Sequence, residues 1–116
     1  MKATIWHNSR CGTSRKALAA LHEAGLTPEI IDYHRTGWTE EGLRSLFASA
    51  GLTAHEALRH KEPLARELGL NRPEATEDEI IQAMITHPIL VERPFVRTDK
   101  GTRLCRPLER LNDLLR

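Results

Sequence analysis

Cysteine is scarce in this chain, and a surplus of charge is absent. Two cysteines among 116 residues are too few for a disulfide scaffold, and a cytosolic chain keeps such thiols reduced. The 17 Lys and Arg against 16 Asp and Glu leave a formal net charge of +1, which supplies no general attraction to nucleic acid or to an anionic membrane. No stretch approaches the roughly 18 apolar residues of a membrane span. Met1-Lys2 leads into only four strand-like residues before His7-Asn8, unlike a secretory signal. There is no repeat, low-complexity tract or linker, and no H-x-x-x-H, C-x-x-C or carboxylate cluster with metal-ligand spacing. These absences point to one soluble cytoplasmic domain over residues 1–116, monomeric by default, without bound metal.

What is present is more specific. Ala3-Thr4-Ile5-Trp6 reads as a short buried strand within residues 2–6, and Ala17, Leu18, Leu21 and Ala24 recur at helical spacing over 12–24. Gly25 stops that helix, and Pro28 opens a second strand, Glu29 to Tyr33. Strand, helix and strand in so short a span predict a βαβ unit with parallel strands. The middle reads as helical. Thr39 caps a helix with Leu43, Leu46 and Phe47, and Thr53-Ala54-His55-Glu56 is a capping box. Pro63 starts another turn, and Thr76-Glu77-Asp78-Glu79 is a second box ahead of Ile80, Ile81 and Met84. After His87-Pro88 the chain returns to strands at Ile89-Leu90-Val91, Phe95 to Thr98, and Thr102 to Cys105 beyond an Asp99-Lys100-Gly101 turn. Pro107 fits the first position of a last helix carrying Leu108, Leu111, Leu114 and Leu115. The whole predicts an α/β fold of the thioredoxin-like kind, βαβ…ββα with a mixed sheet and a helical insertion between the halves.

Chemistry concentrates at Cys11, where the first strand turns into the first helix. The unpaired N–H groups of that helical turn and its dipole favour a thiolate, and such settings lower a cysteine pKa from about 8.5 to between ~3.5 and ~7.5. The same N–H groups cradle anions. Gly12 lets a ligand approach the backbone, while Thr13 and Ser14 offer hydroxyls to a thiolate or anion, or simply cap the helix. Because position 14 is serine, the motif is C-x-x-S and carries no local resolving thiol. Arg59, Arg93 and Arg106 each lie at an element end. Three guanidinium forks reaching one cleft would clamp a tetrahedral oxyanion bidentately and hold Cys11 ionised. Alternation places Cys105 on the opposite face from Arg106, in the core. His7 is a loop anchor or an influence on the thiolate, oriented with Asn8.

Taken together, His7-Asn8, Cys11-Gly12-Thr13-Ser14-Arg15, Leu58-Arg59, His87-Pro88-Ile89-Leu90, Arg93-Pro94 and Gly101 to Pro107 resemble the glutathione/glutaredoxin-coupled arsenate reductase family over essentially the whole chain. The resemblance implies a thioredoxin-like fold with a cis bond before Pro94. It also implies Cys11 as nucleophile, with Arg59, Arg93 and Arg106 binding the oxyanion and stabilising intermediates. The implied reaction is reduction of arsenate to arsenite through a Cys11 adduct, resolved by glutathione as co-substrate and glutaredoxin as partner. One departure is Ser9, where the family usually has proline. Two further readings stay open: glutathione-dependent thiol–disulfide exchange without arsenate, and an Spx-type regulator bound to RNA polymerase, although such regulators typically carry the C-x-x-C switch that Ser14 removes.

Overall fold

The computed structural model describes residues 1–115 and divides into two compact units. One comprises Met1–Thr36 together with the chain from Arg93 onward, and the other comprises Gly37–Glu92.

The first unit is built on a four-stranded sheet in the order β2-β1-β3-β4, from β1 (Ala3–His7), β2 (Glu29–Asp32), β3 (Phe95–Thr98) and β4 (Gly101–Leu104). β1 pairs in parallel with β2, from Thr4↔Glu29 to His7↔Asp32. It pairs antiparallel with β3, and β3 antiparallel with β4. Helix α1 (Gly12–Glu23) crosses between the parallel strands, as the apolar spacing implied. Ala17 and Leu21 on its inner face are fully buried with Ile5, Val96, Cys105, Leu111 and Leu114 in one apolar cluster. Gly25 follows the helix with φ +84, the left-handed backbone that glycine tolerates. The C-terminal segment is tied down by a buried hydroxyl: Thr98 Oγ1 donates to the Leu114 carbonyl at 2.9 Å and accepts from the Lys100 N–H at 3.1 Å. On the other face of the sheet, the Arg97 guanidinium lies 5.0 Å from the Trp6 ring centroid.

The second unit is helical, with α3 (Glu40–Ala50), α4 (Ala54–Ala57), α5 (Pro63–Glu67) and α6 (Glu77–Thr86). Leu43, Leu46 and Phe47 of α3 and Ile80, Ile81 and Met84 of α6 are its buried faces. Thr39 caps α3, and Thr53 and Glu56 close a reciprocal capping box on α4. The second predicted box is only half made. Thr76 Oγ1 accepts from the Glu79 N–H, but the Glu79 carboxylate pairs with Arg72 at 3.0 Å. Glu77 instead reaches across to accept the Ala54 N–H, joining α6 to α4.

Several boundaries differ from the sequence reading. Tyr33 leaves the second strand and begins a short helix, α2 (Tyr33–Thr36), because β1 ends at His7 and its pairing with β2 stops at Asp32. Ile89-Leu90-Val91 is not a strand. Pro88, lacking an N–H, starts a 3-10 turn over Pro88–Leu90, and only Val91 pairs, in an isolated bridge with Leu58. The last helix begins as a 3-10 turn, Leu108–Leu111, with Pro107 one position before it, and becomes α7 (Asn112–Leu115). The Arg93-Pro94 bond is cis, as the resemblance implied, and so is Arg106-Pro107.

Leu21 is fully buried where α1 meets the sheet. Leu21→Ala should lower unfolding free energy by about 2–5 kcal/mol in a denaturant titration.

Candidate active site

β1 and β2 run parallel, so the loops that follow His7 and Asp32 leave the same end of the sheet, where such folds gather their ligands. The loop after β1, His7 to Cys11, is held by several hydrogen bonds. The Cys11 N–H donates to the Asn8 carbonyl at 3.0 Å, the Arg10 N–H to Asn8 Oδ1 at 2.9 Å, and Arg15 Nη1 to the Ser9 carbonyl at 2.9 Å. Ser14, on the buried face of α1, receives the Asn8 N–H at 3.1 Å and lies 2.7 Å from His7 Nδ1. Its hydroxyl is thereby committed to the loop, not turned towards a bound anion.

Cys11 occupies the N-cap position of α1. Arg106 Nη2 donates to its Sγ at 3.4 Å, and Arg106 Nε donates to the Arg93 carbonyl at 3.1 Å. The hairpin is thus a scaffold for two guanidinium groups. Arg93 precedes β3, Arg106 follows β4, and the Cys105 N–H closes the base on the Pro94 carbonyl at 2.8 Å. Burial is the largest influence on the Cys11 thiol and pushes its pKa up. The Ser14 amide, the Arg93 hydrogen bond and the charges of Arg93 and Arg106 together outweigh it. The net result is a cysteine whose pKa lies below its ordinary 9.0. The Ser14 amide favours the anion as a backbone donor from the first helical turn, although its contact with the sulfur falls short of a full cap hydrogen bond. Gly12 is exposed and Thr13 half-buried at the open first turn. A Cβ at Gly12 would meet only Arg15 Nη2, at 3.8 Å, so there is space beside the backbone at this position.

The structure thus brings Cys11, Arg93 and Arg106 together, with His7, Asn8, Ser14 and Pro94 beneath them. Arg59 belongs to the other unit. There its Nη1 pairs with the Glu92 carboxylate at 2.7 Å and its Nε lies 3.8 Å from Glu62. Its backbone is pinned by an N–H bond to the Leu90 carbonyl. Cys105 is fully buried in the apolar cluster packed against α1, and that burial pushes its thiol up to about 12. The sequence reading missed His34, whose Nε2 lies 3.2 Å from Asn8 Nδ2. Its position just beyond β2, at the end of the sheet that carries Cys11, was the available signal. Among the described residues no group of three His, Cys, Asp or Glu could hold a metal ion, and no helix is long and apolar enough to cross a membrane.

Fold and site define a thioredoxin-like α/β protein with a thiolate-stabilising cysteine at the start of its first helix. The model of the ArsC family matches residues 6–114, and the chain belongs to that family. It is 44% identical over 115 residues to the arsenate reductase of Rhizobium meliloti, covering 99% of this chain and 82% of that protein. It is 43% identical over 112 residues to the arsenate reductase of Escherichia coli, covering 97% and 79%. Among solved structures, the arsenate reductase from Vibrio cholerae superposes with a TM-score of 0.92 at 36% identity over 98% of both chains.

Two reactivities should separate cleanly. Iodoacetamide should label Cys11 in the folded protein with a pH midpoint below 9.0 and reach Cys105 only after unfolding. Arg106→Ala should move the Cys11 midpoint upward, because it removes a charge that favours the thiolate. Mass mapping of the label across a pH series checks both.

Proposed function

We propose that this protein is an arsenate reductase in which the Cys11 thiolate is the nucleophile and Arg93, Arg106 and Arg59 bind the oxyanion. The observation that carries the reading is the Arg106 guanidinium 3.4 Å from Cys11 Sγ at the N-terminus of a twelve-residue helix. One group of donors there serves both a charged sulfur and the oxyanion it would attack. The names of the relatives support arsenate as that oxyanion.

In the proposed sequence, Cys11 Sγ attacks As(V) and an S–As bond forms as a protonated arsenate oxygen leaves as water. Gly12 and Thr13 amides and the arginine forks hold the remaining oxygens. A glutathione thiol condenses with this adduct, releasing a second water. A glutaredoxin thiolate then attacks the glutathione sulfur. The As–S bond to glutathione breaks with its electron pair left on arsenic, which becomes As(III), and glutathione leaves as a mixed disulfide with glutaredoxin. Water releases arsenite and regenerates the Cys11 thiol. An external thiol is supported by the C-x-x-S motif and by the full burial of Cys105 in the apolar cluster. Disulfide formation needs an accessible thiolate, and Cys105 offers neither access nor ionisation. His7, Asn8 and Pro94 support the loop and the hairpin base.

The same monothiol arrangement also favours a second reading, turnover of glutathione mixed disulfides without arsenate. Both are tested on one preparation. Arsenate-dependent consumption of reduced nicotinamide cofactor, coupled through glutathione, glutaredoxin and glutathione reductase, should exceed a Cys11→Ser control. A rate no higher than that control, beside active mixed-disulfide turnover, would transfer the assignment to the second reading. Arg93→Ala and Arg106→Ala should each weaken anion protection of Cys11 by roughly tenfold or more, since a charge-assisted hydrogen bond contributes about 1.5–3 kcal/mol. Arg59→Ala should do the same in the arsenate assay. Cys105→Ala should leave turnover intact.

A further inference from the structure

We propose that His34 is a positioning residue for the nucleophile: in its neutral form it holds the Cys11 loop through Asn8, and its protonation releases that hold. The inference rests on Cys11 being the reacting group. It starts from the orientation of one amide. The Arg10 backbone N–H can only donate, so the Asn8 atom 2.9 Å away is the carbonyl oxygen Oδ1. The amide nitrogen Nδ2 must then face His34 Nε2, at 3.2 Å. An amide NH₂ only donates, so Nε2 is the acceptor, and the proton of neutral His34 sits on Nδ1.

Asn8 is the point at which the loop is gathered. Its N–H donates to Ser14 Oγ, its main-chain carbonyl accepts the Cys11 N–H, and its side chain joins Arg10 to His34. It is only 5% exposed, so water does not readily replace a lost partner. An imidazolium at position 34 would set an N–H against the Asn8 NH₂. Rotating the amide would relieve that clash only by setting the NH₂ against the Arg10 N–H. Either way one hydrogen bond of the loop is lost.

The ring is placed to titrate. His34 is exposed as a residue and stacks on Tyr33 with centroids 4.7 Å apart, so protons reach it directly. Burial of its inner edge, then the charges of Arg93 and Arg10, lower its pKa from 6.5, while Asp32 opposes them. The neutral, accepting form therefore prevails at neutral pH and gives way in acid. A simple field effect would act oppositely, because a positive ring near the site favours the thiolate. Positioning predicts less thiolate when His34 is charged.

The test is the ionisation and alkylation of Cys11 itself, followed by thiolate absorbance and iodoacetamide kinetics from pH 5 to 9. In the unaltered protein, acid should remove the thiolate more steeply than a one-proton curve. His34→Gln retains an acceptor that does not titrate. It should keep the alkylation rate at pH 7.5 within about twofold and relax the acid limb towards one proton. His34→Leu offers no acceptor and should slow alkylation at pH 7.5 by about two- to tenfold, the scale of one neutral hydrogen bond. The proposal is overturned if His34→Leu with an unchanged unfolding midpoint reacts like the parent. It is equally overturned if His34→Gln leaves the acid limb unchanged, or if thiolate rises as His34 is protonated. Should His34→Leu unfold more readily, the His34→Gln arm decides alone. Alkylation does not involve arsenate, so normal thiolate behaviour without arsenate turnover would count against the proposed function and leave this inference standing.

Discussion

A sulfur buried at the start of a helix is held in competition between desolvation and positive charge. Burial is the largest influence on Cys11 and disfavours its anion. What reverses the outcome is the convergence of Arg93, Arg106 and the Ser14 amide on one atom, with the Arg106 fork 3.4 Å away. In a medium less polar than water each of these charges acts more strongly than it would at an open surface. Partial burial therefore both opposes the thiolate and strengthens the groups that rescue it. The surrounding structure serves to keep that balance on the side of the anion.

Two constructions maintain it. The β3–β4 hairpin delivers both arginines from its open end, one before the first strand and one after the second, with the Cys105 N–H bonded to Pro94 and the Arg106 guanidinium to the Arg93 carbonyl. Opposite the hairpin, the loop from His7 to Cys11 hangs on Asn8, which uses its backbone and side chain alike to hold Ser14, Arg10, Cys11 and His34. Arg15 ties down Ser9 through its main-chain carbonyl. A side chain thus restrains the loop.

The two cysteines sit in opposite surroundings within one unit, Cys11 at the start of α1 and Cys105 in the apolar cluster beneath that helix. Cys11 meets charge and the amides of the first helical turn; Cys105, one residue before Arg106, is buried among the cluster that holds Ile5, Leu21 and Val96. Surroundings account for the contrast between a thiol held below its ordinary pKa by Arg93, Arg106 and the Ser14 amide and one that burial pushes up to about 12. That contrast is also the basis on which the proposed reaction takes its second thiol from outside the chain.

Much of this was legible in the residues. Apolar periodicity marked α1 and its buried Ala17 and Leu21, Thr39 and Thr53 marked helix starts, and Cys11 with Arg93 and Arg106 stood out by type and by place at element ends. These are local matters, decided by side-chain shape, hydrogen-bonding capacity and spacing along a helix or strand. The ends of elements were not legible, because pairing partners decide them: Tyr33 left its strand where β1 ran out, and Ile89 and Leu90 entered a 3-10 turn beside Pro88. Nor was the use of the polar atoms. Ser14 as a loop anchor, Glu79 drawn to Arg72 and away from its cap, Arg59 paired with Glu92, and His34 bonded to Asn8 all depend on distances between groups far apart in the chain. The amino-acid order determined which groups were available for chemistry; only the folded arrangement decided which of them share a few ångströms, and electrostatic and hydrogen-bond energies are set at that range.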